Sequence, residues 1–367
     1  MAEQETKREL TEEEQLQKLA AQVQAAEYKG LSEEEIQERE RQKEMRRKRN
    51  VEILGDTLDI LEKGSYEKDG REVNLRFSPE QMREIQVFLP EDIDSLRTEP
   101  ESNTVSALSD FLTGDNDTAL SQTEHFKQDT FGKDNEKQLQ SSICTFSCEN
   151  IDSLVLAQRR YQELKENGEP ESCILVLNLA SATRPGGRTR DGASAQEEDL
   201  CRRTSLLLSL ESGEAKKYYD YNNARKTRMG SDGVMLSPCV EVLKDASAEI
   251  LSEPFSISVM SCAAPMIRMG LEGMSQQEYE EMLYKRVQGM LLVAASQHYR
   301  HLILGAFGCG VFGNDAALVS DLFYRAIQEG GLPFASIDFA VLCRPEKDYN
   351  YREFCRNFSR FPEKQHS

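Results

Sequence analysis

Apolar positions change their spacing along this chain, and the changes mark out its elements. Residues 1–50 hold Leu10, Leu16, Leu19, Val23 and Leu31 as isolated apolar positions among Glu, Gln, Lys and Arg. That pattern predicts a solvated helix, coiled in part, interrupted at Gly30. From Val51 the spacing tightens. Val51, Ile53, Leu54, Leu58, Ile60 and Leu61 predict an amphipathic helix that closes near Gly64. Between Glu91 and Ser142 the aliphatics give way to Ser, Thr, Asp, Asn and Gln, the composition of a long mobile insertion or linker. Order then returns. The pattern predicts helices over Asp152–Asn167, Gln196–Leu210, Gln276–Gln297 and Asp315–Glu329, and strands over Cys173–Leu179, Phe255–Met260, His301–Phe307 and Ser336–Leu342. Strands that are apolar throughout and alternate with helices predict an α/β structure whose sheet is covered on both faces. No internal repeat is visible.

Composition narrows the classes of function. The 367 residues carry 64 Asp+Glu against 45 Lys+Arg, a formal net charge of −19. Broad binding to duplex nucleic acid needs a basic face and is not expected, whereas an anionic ligand held by local backbone donors is compatible. No apolar run is long enough to cross a bilayer, and the acidic start of the chain lacks the apolar segment of a secretory signal, so neither a membrane protein nor a secreted one is expected. Nine scattered cysteines suit reduced thiols in the cytoplasm or nucleus. Cys144-x3-Cys148 has no second pair at finger spacing, and His298-x2-His301 is the only close histidine pair, so buried thiols and surface histidines are expected rather than a metal site. Arg46-Arg47-Lys48-Arg49 is either the charged face of the following helix, the favoured reading, or a nuclear import signal.

Two segments depart from core-and-surface patterning, and both follow strands. In the first, the strand ending at Leu179 runs into Pro185-Gly186-Gly187, where absent Cβ atoms let backbone approach a ligand. Seven residues then separate Arg188 from Gln196-Glu197-Glu198 at the start of a helix. Carboxylates there are favoured by the helix dipole, so the plain reading of these three residues alone is a well-capped helix. The second segment is Gly305-Ala-Phe-Gly-Cys-Gly-Val-Phe-Gly-Asn-Asp315, a strand–glycine turn–helix sequence that offers a nest of amides to a phosphate. Gly308-x-Gly310-x2-Gly313 matches a dinucleotide fingerprint, but the next strand ends Val341-Leu-Cys-Arg344 without the acid that would hold a ribose, so a nicotinamide oxidoreductase ranks last. Neither segment contains a histidine, and a Ser-His-Asp or Cys-His machine has no support. A diphosphate nest beside an acid that can donate a proton fits glycosidic cleavage.

Together these segments resemble the microbial-type poly(ADP-ribose) glycohydrolase family. Asn178-Leu-Ala-Ser-Ala, Pro185-Gly186-Gly187, Gly192-Ala-Ser-Ala-Gln-Glu-Glu198 and Leu200-Cys-Arg202 look like its signature, in which a Gly-Gly-Gly run precedes Gln-Glu-Glu by six to eight residues. Leu304–Asn314 resembles its diphosphate loop. Arg49–Gly64 with Tyr66, Leu236-Ser-Pro-Cys-Val240 and Ala263-Ala-Pro265 extend the likeness in order, from about Arg46 to Arg360. The resemblance implies a macrodomain-like three-layer α/β/α sandwich with a mixed sheet, plus a charged helical N-terminal extension. It divides the chain into that extension (1–45), a catalytic domain (46–362) containing the insertion, and a tail (363–367).

By the same resemblance Glu198 is the catalytic acid and Glu197 holds the leaving ribose by its hydroxyls. Asn178 and Gln196 order the cleft beside Gly186 and Gly187. Gly308, Cys309, Gly310, Val311 and Phe312 wrap the diphosphate, with Phe312 against the distal ribose and Gly313 and Asn314 completing the loop. No cofactor or metal is implied. The implied partners are poly(ADP-ribose) or ADP-ribosylated proteins, and an unidentified protein for the N-terminal helix. One departure stands out: Arg188 replaces the family's third glycine. Its side chain either pairs with phosphate, crowds the ribose, or points to solvent. The leading expectation is hydrolysis of the ribose–ribose bond of poly(ADP-ribose). Its alternatives are an ADP-ribose-binding module without turnover and a hydrolase of mono-ADP-ribosylated substrates. Exo or endo cleavage, oligomeric state and the extension's role stay open.

Overall fold

The computed structural model describes residues 28–98, 144–170, 173–331 and 333–359. Ser32 opens the first long helix through a reciprocal cap. Its hydroxyl accepts the amide of Glu35, whose carboxylate accepts the amide of Ser32. Helix α1 then runs unbroken over Glu33–Lys63 and stops at Gly64, which takes a left-handed φ of 73°. The two helical stretches expected on either side of residue 50 are therefore one helix from Glu33 onward, with the basic tetrad on its exposed surface; residues 1–27 lie outside the described residues.

A hairpin of β1 (Ser65–Lys68) and β2 (Arg71–Asn74) follows, then β3 (Gln86–Phe88) and helix α2 (Pro90–Thr98). Helix α2 lies inside the span expected to be an insertion, yet its Ile93 is fully buried in the core; the remainder, 99–142, is outside the described residues. Next come β4 (Thr145–Glu149), α3 (Ser153–Asn167), β5 (Ile174–Leu179), α4 (Gln196–Arg203), α5 (Leu206–Leu210) and α6 (Lys216–Arg225). The chain ends with β6 (Val234–Lys244), β7 (Ile250–Cys262), α7 (Gln276–Ser296), β8 (His301–Leu304), α8 (Ala316–Gly330), β9 (Ser336–Ala340) and α9 (Tyr349–Phe358).

Seven strands form one mixed sheet in the order β3-β6-β7-β5-β8-β9-β4. Strands β7, β5, β8, β9 and β4 are mutually parallel, while β6 runs antiparallel to β7 and β3 antiparallel to β6. Period-2 alternation in β5 explains the layering. Ile174 and Val176 face a core shared with α1, α3, α4, α5 and α6, whereas Leu175 and Leu177 face the core of α2, α7, α8 and α9. Each such aliphatic contributes about 1.5–3 kcal/mol by leaving water. The result is the expected three-layer α/β/α sandwich.

Three expected elements end differently. The helix expected over Gln196–Leu210 breaks at Thr204-Ser205. There Thr204 Oγ1 accepts the Leu206 amide, and Ser205 exchanges hydrogen bonds with the Glu241 backbone, so tertiary pairing replaces helical bonding. The strand expected to reach Phe307 stops at Leu304, where the glycine loop begins. The strand expected over Phe255–Met260 is the middle of the longer β7. Because β7, β5, β8 and β9 are parallel, their C-terminal ends lie on one edge. The segments 180–195, 263–268, 305–315 and 341–348 leave from that edge.

Candidate active site

Buried Asn178 is the penultimate residue of strand β5, and the loop after the strand returns to α4 with its acids. Gln196 closes this return. Its Nε2 donates to Leu177 O at 2.8 Å and its Oε1 accepts the Leu179 amide at 2.8 Å, so the first residue of α4 pairs with β5 much as a strand would. Gln196 is expected to order the cleft. Its amide bonds the backbone on both sides and holds its neighbours in place.

The two acids do not cap their own helix, and the capping residue Ala195 supplies no side-chain bond. Glu197 Oε2 accepts the Ser181 amide at 2.8 Å, and its Oε1 accepts Asn178 Nδ2 at 3.4 Å. Asn178 also donates to Ser261 Oγ on β7 at 2.9 Å. Glu198 Oε1 accepts the Arg188 amide at 3.0 Å, while Oε2 is buried and makes no hydrogen bond among the described residues. Asn178 Oδ1 is in the same condition. Buried polar atoms without partners are rare, and they concentrate at functional sites. Burial pushes the Glu197 carboxyl up to about 8; the Ser181 amide opposes the shift and the neighbouring Glu198 adds to it.

Gly187 lies over both acids. A Cβ built on it would sit 2.6 Å from Glu198 Oε1 and 2.8 Å from Glu197 Oε2, at a φ of 59°. Gly186 has a different reason for lacking a side chain: its Cβ would meet Leu207 Cδ1 at 2.7 Å, so it serves core packing. Of the three orientations open to Arg188, the side chain takes the solvent-facing one. Nε pairs with Asp191 Oδ2 at 2.9 Å and the side chain is 58% exposed. Only its amide reaches the acids.

The glycine loop after β8 sits at the end of the neighbouring parallel strand. Its amides at Gly308, Gly310, Val311 and Phe312 make no hydrogen bond among the described residues, while its carbonyls are tied back. Arg268, carried by the segment after β7, donates to Val311 O at 2.8 Å and Gly310 O at 2.9 Å, and its amide donates to Phe312 O. Asn314, which completes the loop, braces it: Nδ2 donates to Pro265 O and Gly308 O at 2.9 Å each, and Oδ1 accepts Tyr279 OH at 2.7 Å. Cys309 has its amide on Ala306 O and its thiol beside Phe307 O. Carbonyls drawn back and amides left open are what a diphosphate requires. Val311 in the loop and Leu342 after β9 are each 69% exposed.

The geometry thus gathers Asn178, Gly187, Glu197, Glu198 and the loop Gly308–Gly313 at one end of the sheet. Arg268, Tyr279, Ser181 and Ser261 also belong to it. Nothing in the spacing of the sequence marks Arg268 or Tyr279, because they reach the loop from other segments. Ser181 was within reach, since it stands two residues beyond the strand that carries Asn178. Among the described residues no three His, Cys, Asp or Glu side chains gather as a metal site, and no helix is long and apolar enough to cross a membrane.

Comparison with known proteins follows the same line. The family model of the catalytic domain of microbial-type PARG, the poly(ADP-ribose) glycohydrolase, matches residues 55–245, just over half of the chain. No curated protein sequence matches. Among solved structures, poly(ADP-ribose) glycohydrolase from Thermomonospora curvata bound to the inhibitor ADP-HPD has a TM-score of 0.64 at 27% identity, covering 84% of this chain and 99% of that one. A second structure of the Thermomonospora curvata protein has a TM-score of 0.65 with the same identity and coverage. The Deinococcus radiodurans poly(ADP-ribose) glycohydrolase in complex with ADP-ribose has a TM-score of 0.61 at 26% identity, covering 78% of this chain and 99% of that one.

Proposed function

The chain belongs to the microbial-type poly(ADP-ribose) glycohydrolases, and from that membership we propose that it hydrolyses the ribose–ribose glycosidic bond of poly(ADP-ribose), with Glu198 as proton donor. The observation that carries the assignment is the contrast between the two acids. Both oxygens of Glu197 accept hydrogen bonds, whereas Glu198 accepts the Arg188 amide through Oε1, the oxygen beneath Gly187, and keeps Oε2 unpaired. Glu198 Oε2 is the carboxyl oxygen of the pair with no competing partner, so it is the better placed to present a proton to a substrate oxygen. The raised pKa of Glu197 favours it as a second candidate donor, and its two hydrogen bonds argue against it.

The chemistry then runs as follows. The diphosphate of the terminal unit rests on the open amides of Gly308, Gly310, Val311 and Phe312, and its base lies toward Val311 and Leu342. Glu198 gives its proton to the ribose oxygen of the departing chain as the C–O bond breaks. The oxocarbenium ion is captured by water, whose proton returns to Glu198. A substrate phosphate orients that water, so no second carboxylate base is needed. Glu197 holds the departing ribose through its hydroxyls. The polymer is preferred over mono-ADP-ribosylated side chains, and a module that binds without turnover loses its main support because the Arg188 side chain faces away from the acids. Residues 46–362 act as the catalytic domain, with 1–45 as extension and 363–367 as tail. The free state of all nine cysteines supports a place in the cytoplasm or nucleus.

The test is release of ADP-ribose from purified poly(ADP-ribose) by wild type and Glu198→Gln, with ADP-ribose binding measured in parallel. General-acid catalysis contributes about 10²–10⁴-fold; the expected result is a rate loss of that order with binding retained. Wild-type binding without release overturns the hydrolase reading. A fully active Glu198→Gln overturns the assignment of the acid.

A further inference from the structure

Helix α1 carries one uninterrupted run of basic residues. The earlier turns mix Glu33, Glu34, Glu35, Glu38, Glu40 and Glu44 with Arg39, Arg41 and Lys43, and are followed by the tetrad Arg46-Arg47-Lys48-Arg49, all four of whose residues are exposed. Lys48 is paired with Glu44 at 2.9 Å. Among the described residues no carboxylate pairs with Arg46, Arg47 or Arg49, nor with exposed Arg184 in the catalytic loop. In a chain of net charge −19 such a patch is exceptional.

The patch is fastened to the active site. Buried Asn50, one residue beyond the tetrad, donates Nδ2 to Gly192 O at 2.9 Å and to Ser194 Oγ at 3.1 Å. The Arg47 carbonyl packs so closely on Gly192 that a Cβ there would lie 2.2 Å from it. Gly192 closes the turn Thr189–Asp191, and that turn continues the loop whose Gly187 covers both acids. Contacts thus link the acid pair, the catalytic turn and the basic turn of α1 in that order, and the diphosphate loop leaves the end of the neighbouring strand β8. A polymer whose terminal diphosphate occupies that loop and whose scissile bond meets the acid pair continues toward the basic turn.

We propose that Arg46, Arg47 and Arg49, together with Arg184, seat the diphosphate of the unit on the leaving side of the cut, so that the enzyme grips the polymer at two successive diphosphates. The inference rests on the glycohydrolase reading above. The earlier turns of α1 are net acidic, so contact with a polyanion centres on the basic turn. The site makes the enzyme favour chains over free ADP-ribose or a single attached unit.

The experiment uses the full chain in a Glu198→Gln background, with and without Arg46→Gln/Arg47→Gln/Arg49→Gln, and measures binding of purified long poly(ADP-ribose) between about 50 and 200 mM salt. Removing three phosphate-neutralising cations takes about two off the slope of log K against log salt, at ~0.7 each for a single strand. Expected are that shallower slope, weaker chain binding at low salt, unchanged affinity for free ADP-ribose, and restoration by the triple Arg→Lys variant. An unchanged slope overturns the proposal, as does an equal loss of free ADP-ribose affinity. The same change of slope on duplex DNA also overturns it, since the surface would then be a general nucleic-acid one. Failure of wild type to release ADP-ribose overturns the enzymatic reading instead, while the salt slope still decides whether the patch binds the chain.

Discussion

At the scale of single residues, Gly187 is the most constrained position in the site. Its φ of 59° lies in the left-handed region, where an L side chain costs about 1–2 kcal/mol. Its missing Cβ is also what lets the loop lie on two carboxylates at once. Gly187→Ala should therefore do two things: lower stability by roughly that amount, and shift the acids enough to cost about 100-fold in ADP-ribose release. Thermal unfolding and a release assay on the same preparation check both. A fully active, equally stable variant would mean that the loop is not held against the acids in solution. The neighbouring Arg188 shows the limit of reading a residue from its place in a motif. Its amide does the work next to Glu198, and its side chain is a surface partner of Asp191. Sequence reveals that an arginine stands where a glycine is usual; it does not reveal which way the arginine turns.

At the scale of elements, a position was legible where the period was regular and obscured where tertiary contacts overrode it. Helices α3, α7 and α8 lie within a residue or so of their expected bounds, because caps at Asp152, Ser275 and Asp315 reinforce the apolar spacing. Strand β6 escaped notice as an element. Pro238 interrupts it, and its register against β7 shifts between Ser237 and Val240, so no clean alternation survives. Helix α6 is polar, and its place depends on Tyr218, Tyr219 and Asn222 being buried by the fold. The diphosphate loop was recognisable from its glycines, but what holds it was not. Arg268 fixes two of its carbonyls from another strand end. Arg268→Ala should leave the turnover rate within about threefold and raise KM for poly(ADP-ribose) about tenfold, since the loop amides must then be ordered at the moment of binding. Steady-state kinetics separates the two parameters; an unchanged KM would remove Arg268 from the site.

At the scale of the whole molecule, the acid pair makes stability depend on pH. Burial raises the Glu197 carboxyl from its ordinary value of 4.5 to about 8 in the folded state. The folded form therefore holds its proton more tightly. The associated stability is fully present below about pH 4.5, declines as pH rises, and is gone above about pH 8. Burial holds His301 down to about 4, which acts in the opposite sense and takes stability away as pH falls from 6.5 toward 4. Comparing wild type with Glu197→Gln cancels the histidine, which both proteins retain. The difference in Tm, wild type minus variant, should fall between pH 5 and 8 and then level off; a difference independent of pH would refute a protonated Glu197. The architecture itself was legible at this scale, because apolar strands alternating with helices admit few arrangements. The order of strands and the antiparallel edge were not legible, since pairing across the sheet joins residues far apart in the chain.

The bond pair from Gln196 to β5 has one more consequence. Because it ties the start of α4 to the backbone of Leu177 and Leu179, the acids are registered to the sheet rather than measured out along the connecting loop. The number of residues between the glycines and the acids is thereby released from the task of placing them. A family whose spacer varies from six to eight residues can then keep one catalytic geometry: length variation is absorbed by the outer bend of the loop, and the carboxylates stay indexed to the strand.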